Sequence, residues 1–141
     1  MSCHGCGSAC SVLTNSTGSF SDGSGTSDYA NDADCSWIIA PPGANRILLR
    51  FPEFSTQQDK DVITVYHCSS IDCTYQKQLT VLSGNNVSSS LIFSLPGFLK
   101  VTFGSDSSVT AAGFTAKYTS VSQGSRELHA AFSLTILFRI L

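Results

Sequence analysis

The chain has 141 residues, of which 13% are charged, and its formal net charge is −2 at pH 7. A chain of this length fills one hydrophobic core of ordinary size, so we expect a single domain with short tails. The low share of lysine and arginine argues against a basic surface, and therefore against nucleic acid as a partner.

The N-terminal segment, residues 1–9, is rich in cysteine and is expected to be a linker or the remnant of a preceding module. Cys3 and Cys6 either pair with each other or pair within such a module. The alternative is a zinc site formed by Cys3, His4, Cys6 and Cys10. Zinc sites usually bring two separated ligand pairs together, whereas these four residues are nearly contiguous, which disfavours zinc.

Residues 10–120 show the pattern of one all-β domain. Residues 14–34 are turn-rich, with a short edge strand near Phe20, and after Cys35 short apolar runs alternate with turn signals. This is typical of an antiparallel sandwich. We predict strands over Ser36–Ala40, Arg46–Phe51, Val62–His67, Gln76–Ser83, Ser89–Ser94, Phe98–Phe103 and Gly113–Ser120.

Residues 121–141 are expected to be a polar linker followed by a short apolar tail of unassigned role. The apolar run from Ala130 to Leu141 is interrupted by Arg139 and is shorter than the ~20 residues that cross a bilayer. We therefore predict no membrane insertion.

Six cysteines are more than a typical cytosolic chain of this size carries, and an even number favours disulfides in an oxidising compartment. Two glycosylation sequons, at Asn15 and Asn86, are compatible with secretion. Residues 1–9 contain no apolar signal-peptide core. A secreted or cell-surface location therefore requires that this chain belong to a longer protein.

A series of motifs in a fixed order extends from Cys10 to Ser120. Its first members are Gly18-x-Phe20, Tyr29, Cys35-Ser36-Trp37, Pro41-Pro42-Gly43 and Phe51-x-x-Phe54. Its later members are Asp61-x-Ile63-x-Val65-Tyr66, Ser83-Gly84, Phe103-x-Ser105-Asp106 and Gly113-Phe114-x-Ala116-x-Tyr118. This series resembles the CUB domain family.

The resemblance implies a sandwich of two antiparallel sheets with jelly-roll-like topology, used for extracellular recognition of proteins or glycans. It also implies a Cys10–Cys35 disulfide. Cys68 and Cys73 flank a short hairpin loop that a second disulfide could close, although many members of the family place their second bridge elsewhere. Trp37 is expected in the core, because a lone tryptophan beside a disulfide cysteine in a sandwich is usually buried.

Some CUB domains bind calcium through a tyrosine, a glutamate and two aspartates. Tyr29, Asp61 and Asp106 match three of these positions, and Gln57 occupies the position of the glutamate. Since calcium prefers several carboxylates among its oxygen ligands, the neutral Gln57 should weaken the site. Glu53 or Asp59 could compensate; without calcium, Asp106 would bond loop amides and Tyr29 would close the core.

No catalytic constellation is recognised in the sequence. It contains no Gly-x-Ser-x-Gly elbow, no phosphate-binding loop and no His-x-x-x-His pair. We predict a binding or adhesion module with a protein or glycan ligand and neighbouring domains in a larger chain. The alternatives are a noncatalytic accessory domain that positions an attached enzyme such as a protease, and, third, a small hydrolase built on a sandwich.

Overall fold

A computed structural model describes residues 3–7, 10–85, 90–94 and 97–122. The predicted glycosylation site Asn86, the turn at Leu95-Pro96 and the apolar tail from Ala130 lie outside the described residues. So does the polar segment 123–129. Within the described ranges the regular structure consists of β-strands, and no helix there is long and apolar enough to cross a membrane.

Nine strands make up the described part of the chain. In chain order they are β1 Ser11–Leu13, β2 Thr17–Ser21, β3 Asp34–Ile39, β4 Ala44–Ser55, β5 Val62–Cys68, β6 Gln76–Leu82, β7 Ser90–Ser94, β8 Phe98–Gly104 and β9 Gly113–Ser122. The strands that were predicted from Cys35 onward are all present, with ends shifted by a few residues. β2 is the short edge strand that was expected near Phe20, whereas β1, which precedes the turn-rich stretch, was not predicted.

The strands form two sheets that pack face to face. One sheet has the order β1-β3-β8-β5-β6 and the other has the order β2-β9-β4-β7. All pairings are antiparallel except that of β1 with β3, which is parallel. The prediction of an all-β sandwich of two antiparallel sheets is confirmed.

The core lies between the sheets and follows the period-2 alternation of a strand with one buried face. In β8, Leu99, Val101 and Phe103 are buried, while the residues between them are partly exposed. Trp37 is 2% exposed, as predicted, and its ring stacks on Phe20 with the ring centroids 4.8 Å apart. The two sheets are therefore held together mainly by apolar burial at their facing surfaces.

The cysteine pairing differs from the expectation. The disulfides are Cys3–Cys10, Cys6–Cys35 and Cys68–Cys73, so Cys68–Cys73 is confirmed whereas the expected Cys10–Cys35 and Cys3–Cys6 pairings are wrong. The physical reason is the docking of the N-terminal segment on β3. His4 and Asp34 exchange two backbone hydrogen bonds of 2.8 Å, and this brings Cys6, rather than Cys10, to the buried Cys35.

Along the chain, the domain extends beyond the expected boundaries at both termini. Cys6 is 3% exposed and belongs to the core, so residues 3–7 pack on the sandwich although residues 1–9 were expected to lie outside the domain. At the other terminus β9 continues to Ser122, and Val121 is buried. These two residues were expected to begin the linker.

Candidate functional site

Three loops meet at one end of the sandwich. Gly104, the last residue of β8, pairs with Val62 at the start of β5 and with Asp34 at the start of β3. The loops that precede β3 and β5 and the loop that follows β8 are therefore neighbours. We call the surface formed by residues 22–33, 56–61 and 105–112 the loop end.

Asp61 is the centre of the loop end. Its side chain is 0% exposed, and one carboxylate oxygen, Oδ2, accepts a 2.6 Å hydrogen bond from the Tyr29 hydroxyl. The other oxygen, Oδ1, accepts a 2.9 Å bond from the backbone N–H of Asp106. One buried carboxylate thus joins the three loops, as a buried charge must be compensated by hydrogen bonds.

Tyr29 acts as both donor and acceptor in this network. The ring is 2% exposed and packs edge-on against Phe103, with centroids 5.0 Å apart. Its hydroxyl accepts a 3.1 Å bond from the backbone N–H of Gln57 while it donates to Asp61. Burial, and next the hydrogen bond to Asp61, raise the pKa of Tyr29 well above its ordinary value. The phenol therefore stays protonated and remains a donor.

Asp106 joins the network through its backbone, and its carboxylate remains partly exposed. Its carbonyl accepts a 2.8 Å bond from the N–H of Asp32, and its Oδ1 accepts a 3.2 Å bond from the N–H of Ser108. The expectation that Asp106 bonds loop amides and that Tyr29 closes the core describes these contacts. The same contacts leave further lone pairs on both carboxylates, because an ionised carboxylate has about four acceptor sites.

Among the described residues, one buried side-chain nitrogen or oxygen atom lacks a hydrogen-bond partner, and it belongs to Gln57. Its side-chain oxygen Oε1 is buried and has no hydrogen-bond partner, although its backbone N–H reaches Tyr29. A buried carbonyl-type oxygen without a donor is costly, and a cation is one partner that would satisfy it. This atom and the carboxylates of Asp61 and Asp106 are hard oxygen donors of the kind that calcium prefers.

The donor set is nonetheless small. Within the described ranges no group of three or more histidine, cysteine, aspartate or glutamate side chains is arranged so that it could hold a metal ion. Glu53 accepts a 3.2 Å bond from the Thr115 hydroxyl on β9, and Asp59 is exposed and bonded to Gln58. In these positions neither residue contributes to the hydrogen bonds around Asp61.

A second buried aspartate escaped sequence analysis. Asp22 is 2% exposed, and its two carboxylate oxygens accept hydrogen bonds from the N–H of Phe114, at 2.6 Å, and of Ser24, at 2.9 Å. Gly113, next to Phe114, has a φ of 91° and no room for a side chain beside this carboxylate. The Asp22-Gly23 turn signal gave the only hint, since the partner lies far along the chain.

The chain matches a known protein family over most of its length. The model of the CUB domain matches residues 6–118. The chain belongs to the CUB domain family. The match begins at Cys6 and not at Cys10, which agrees with the packing of residues 3–7 and the Cys6–Cys35 disulfide.

Two curated relatives share part of their length with this CUB domain. Procollagen C-endopeptidase enhancer 1 of Rattus norvegicus is 34% identical over 109 residues, which is 74% of this chain. Ovochymase of Halocynthia roretzi is 28% identical over 135 residues, or 86% of this chain. The chain spans only 23% of the first relative and 8% of the second.

Solved structures give the same fold. The extracellular region of zebrafish Gpr126/Adgrg6 superposes with a TM-score of 0.62 at 28% identity, covering 82% of this chain and 15% of that one. The MASP-1 CUB2 domain bound to Ca²⁺ superposes with a TM-score of 0.63 at 19% identity, covering 79% of this chain and 98% of that domain. At that lower identity the likeness concerns the fold alone.

Proposed function

We propose that this CUB domain is a noncatalytic extracellular binding module whose ligand surface is the loop end. The observation that carries the proposal is the bonding of three loops by the single buried carboxylate of Asp61. A surface made of loops that are fixed from below changes shape little on binding, which favours specific recognition of a protein. A glycan ligand was the other expectation from the sequence.

We propose further that calcium binds at the loop end. Gln57, Asp61 and Asp106 would hold the ion with their side-chain oxygens, and the buried Oε1 atom of Gln57 supports this choice. A bound calcium ion supplies positive charge that fixes the surrounding oxygens. The protein itself positions two of these residues, because Tyr29 orients the Asp61 carboxylate and the backbone N–H of Asp106 holds the third loop against it.

The affinity should be low for a protein calcium site. Two carboxylates and one amide oxygen offer less charge than three carboxylates, and calcium affinity depends strongly on the number of charged ligands. We expect dissociation constants toward the weak end for extracellular modules, roughly 10⁻⁴ to 10⁻³ M.

Calorimetric titration of the oxidised full chain with calcium chloride tests this proposal. Asp106→Ala should abolish the saturable heat, because it removes one of the two carboxylates. Asp72→Asn is the control. Asp72 follows β5, at the opposite end of the sandwich from the loop end, and its replacement removes one negative charge there. Saturable heat that is equal in wild type and Asp106→Ala, or no heat at millimolar calcium, would contradict a calcium site at the loop end.

The names of the two relatives favour a second candidate function. One is an endopeptidase enhancer and the other is an ovochymase, and this chain matches only a part of each. We propose as the alternative that the domain positions an attached catalytic domain in a larger secreted protein. The exposed side chain of Asn15, on the short β1–β2 connection, would carry a glycan in that setting.

A further inference from the structure

The outer face of the four-stranded sheet is basic. Its strands β2, β9, β4 and β7 contain three cationic residues, Arg46, Arg50 and Lys117, and a single acidic residue, Glu53. The low share of lysine and arginine in the whole chain argued against a basic surface, but most of the acidic residues lie on loops and leave this face positive. We call the surface formed by Arg46, Arg50 and Lys117 the basic face.

The three cations point away from the core because side chains alternate between the two faces of a strand. In β4, Arg46 and Arg50 alternate with Ile47 and Leu49, which are fully buried between the sheets. In β9, Lys117 lies between two buried residues. Arg50 and Lys117 are exposed, and Arg46 is half-buried. All three side chains therefore lie on the same outer surface.

Two of these cations oppose each other directly. Arg50 in β4 and Lys117 in β9 are cross-strand partners, and like charges in such positions, with Cβ atoms about 5 Å apart, destabilise a sheet. Among the described residues neither cation has a carboxylate partner. Glu53 accepts a 3.2 Å hydrogen bond from the Thr115 hydroxyl. The pair therefore costs the domain stability, and an anionic ligand would remove the repulsion.

Arg46 extends the basic face along β4. It lies four residues from Arg50 without an intervening bulge, which places the two Cα atoms about 13 Å apart at the usual rise of a strand. Ser19, the neighbour of Lys117 on β2, is exposed and carries a hydroxyl group. Lysine, arginine and hydroxyl groups all donate to the oxygens of anions, and the arginine fork can make two parallel bonds. The face thus presents an extended row of donors, which suits a linear polymer with repeated anionic groups.

We propose that the basic face binds a sulfated polysaccharide through Arg46, Arg50 and Lys117. One sulfate group would lie between Arg50 and Lys117 and another near Arg46, so that the ligand compensates cations that have no acidic partner within the described ranges. The inference takes only the extracellular location from the proposed function and does not rest on the loop end or on calcium. In that location sulfated polysaccharides are abundant repeating polyanions, whereas anionic lipid headgroups face mainly the cytoplasm.

Calorimetric titration of the oxidised full chain with size-defined heparin fragments, repeated over a series of salt concentrations, tests the proposal. We expect saturable binding at low salt that weakens as the salt concentration rises, because exposed charges are screened. Arg50→Gln and Lys117→Gln should each weaken binding by about fivefold, the upper value for an exposed ion pair. Each should also reduce by about one the slope of log affinity against log salt concentration, since one fewer counterion is released. Lys77→Gln is the matched control, because it removes one exposed cation from β6 in the other sheet.

Urea unfolding separates this role from a structural one. Both glutamine variants should leave the midpoint unchanged or raise it, because they relieve the repulsion between Arg50 and Lys117. Lys117→Glu should raise the midpoint, since it places an opposite charge beside Arg50, and it should weaken heparin binding more than Lys117→Gln does. Lower midpoints in step with weaker binding would overturn the proposal. So would equal binding by wild type and both glutamine variants, or no binding at low salt.

Two further ligands and one variant identify what is recognised and where. Desulfated heparin, which keeps the carboxylates of the same polymer, should bind more weakly than heparin at every salt concentration. Equally tight binding of desulfated heparin, or of a single-stranded oligodeoxynucleotide of the same net charge, would overturn the assignment to sulfated polysaccharides. Asp106→Ala should bind heparin as wild type does, and loss of heparin binding in this variant would place the site at the loop end instead. Heparin binding in a chain that shows no calcium heat would support the basic face while contradicting the calcium site.

Discussion

Replacing Tyr29 by phenylalanine should destabilise the domain more than the same replacement at a tyrosine whose hydroxyl donates to a neutral acceptor. The change removes one oxygen atom from a ring that is 2% exposed and leaves the apolar packing in place. Asp61 Oδ2 loses a 2.6 Å donor, and the N–H of Gln57 loses its acceptor. Hydrogen bonds to charged groups contribute about 1.5–3 kcal/mol, so we expect a loss of about 2–3 kcal/mol.

Tyr118→Phe is the matched control for this prediction. Tyr118 is 3% exposed, and its hydroxyl donates a 2.9 Å bond to the neutral carbonyl of Asn15. Loss of this bond should cost about 0.5–1.5 kcal/mol, as is usual for a neutral pair. The two variants remove a group of the same size, but Tyr29→Phe removes the donor to a charged acceptor and also the acceptor of the Gln57 N–H.

Urea unfolding of the oxidised chain, followed by circular dichroism, provides the measurement. With a slope typical of a small domain, the midpoint of Tyr29→Phe should fall about 1 M below that of Tyr118→Phe. Equal midpoints with unchanged slopes would refute the argument that the Asp61 carboxylate depends on Tyr29. A changed slope would mean that the variant altered the native or denatured state.

Three further predictions concern pH, packing and the disulfides. Burial raises the pKa of Tyr29 and of Tyr118. The stability that these two tyrosines contribute is therefore fully present below the unfolded tyrosine pKa of about 10 and declines as the pH rises beyond it. Urea titrations at several pH values should show a shallower decline for Tyr29→Phe than for wild type. Gly113→Ala should lower the free energy of unfolding in urea by about 3 kcal/mol, because the new methyl group overlaps the Asp22 carboxylate and the backbone is left-handed. Gly43→Ala is the control and should cost only about 1 kcal/mol, because Gly43 has a φ of 72° but open space around it. Mass-spectrometric mapping without reduction should recover peptides linked through Cys6–Cys35, and a Cys10–Cys35 peptide would contradict the structure.

The sheet pattern could be predicted from the sequence because its signals are local. Ile47, Leu49 and Phe51 alternate along one strand, and all three are buried in the core. β1 could not be recognised in the same way, because it has three residues and owes its order to the parallel pairing with β3. Such a strand is specified by its neighbour and not by its own composition.

The cysteine pairing illustrates a different limit. Cys10 has the spacing to Cys35 that the family's first bridge suggests, whereas the observed partner is Cys6. The choice depends on the backbone pairing of His4 with Asp34, which places Cys6 over the core. Connectivity among several cysteines does not follow from their number and spacing alone.

The residues of the loop end were predicted from the sequence, as were the bonding of Asp106 to loop amides and the closure of the core by Tyr29, but the hydrogen bonds that centre on Asp61 were not. Tyr29, Gln57, Asp61 and Asp106 do come together in the structure, and of these four Asp61 is the residue whose side chain bonds to both of the other loops. The left-handed φ of Val109, in the same loop end, could not be predicted from the sequence, because it is a property of the folded backbone. Strain and long-range hydrogen bonds become visible only in three dimensions.

The central claim is that the loop end is the binding surface and that a cation organises it. Amide NMR spectra of wild type and Gln57→Glu, recorded during a calcium titration, test it most directly. We predict saturable shifts confined to residues 22–33, 56–61 and 105–112, and at least about tenfold tighter binding in Gln57→Glu, because the added carboxylate restores a charged ligand. Shifts that do not saturate, that appear elsewhere, or that are equally weak in both proteins would contradict the claim.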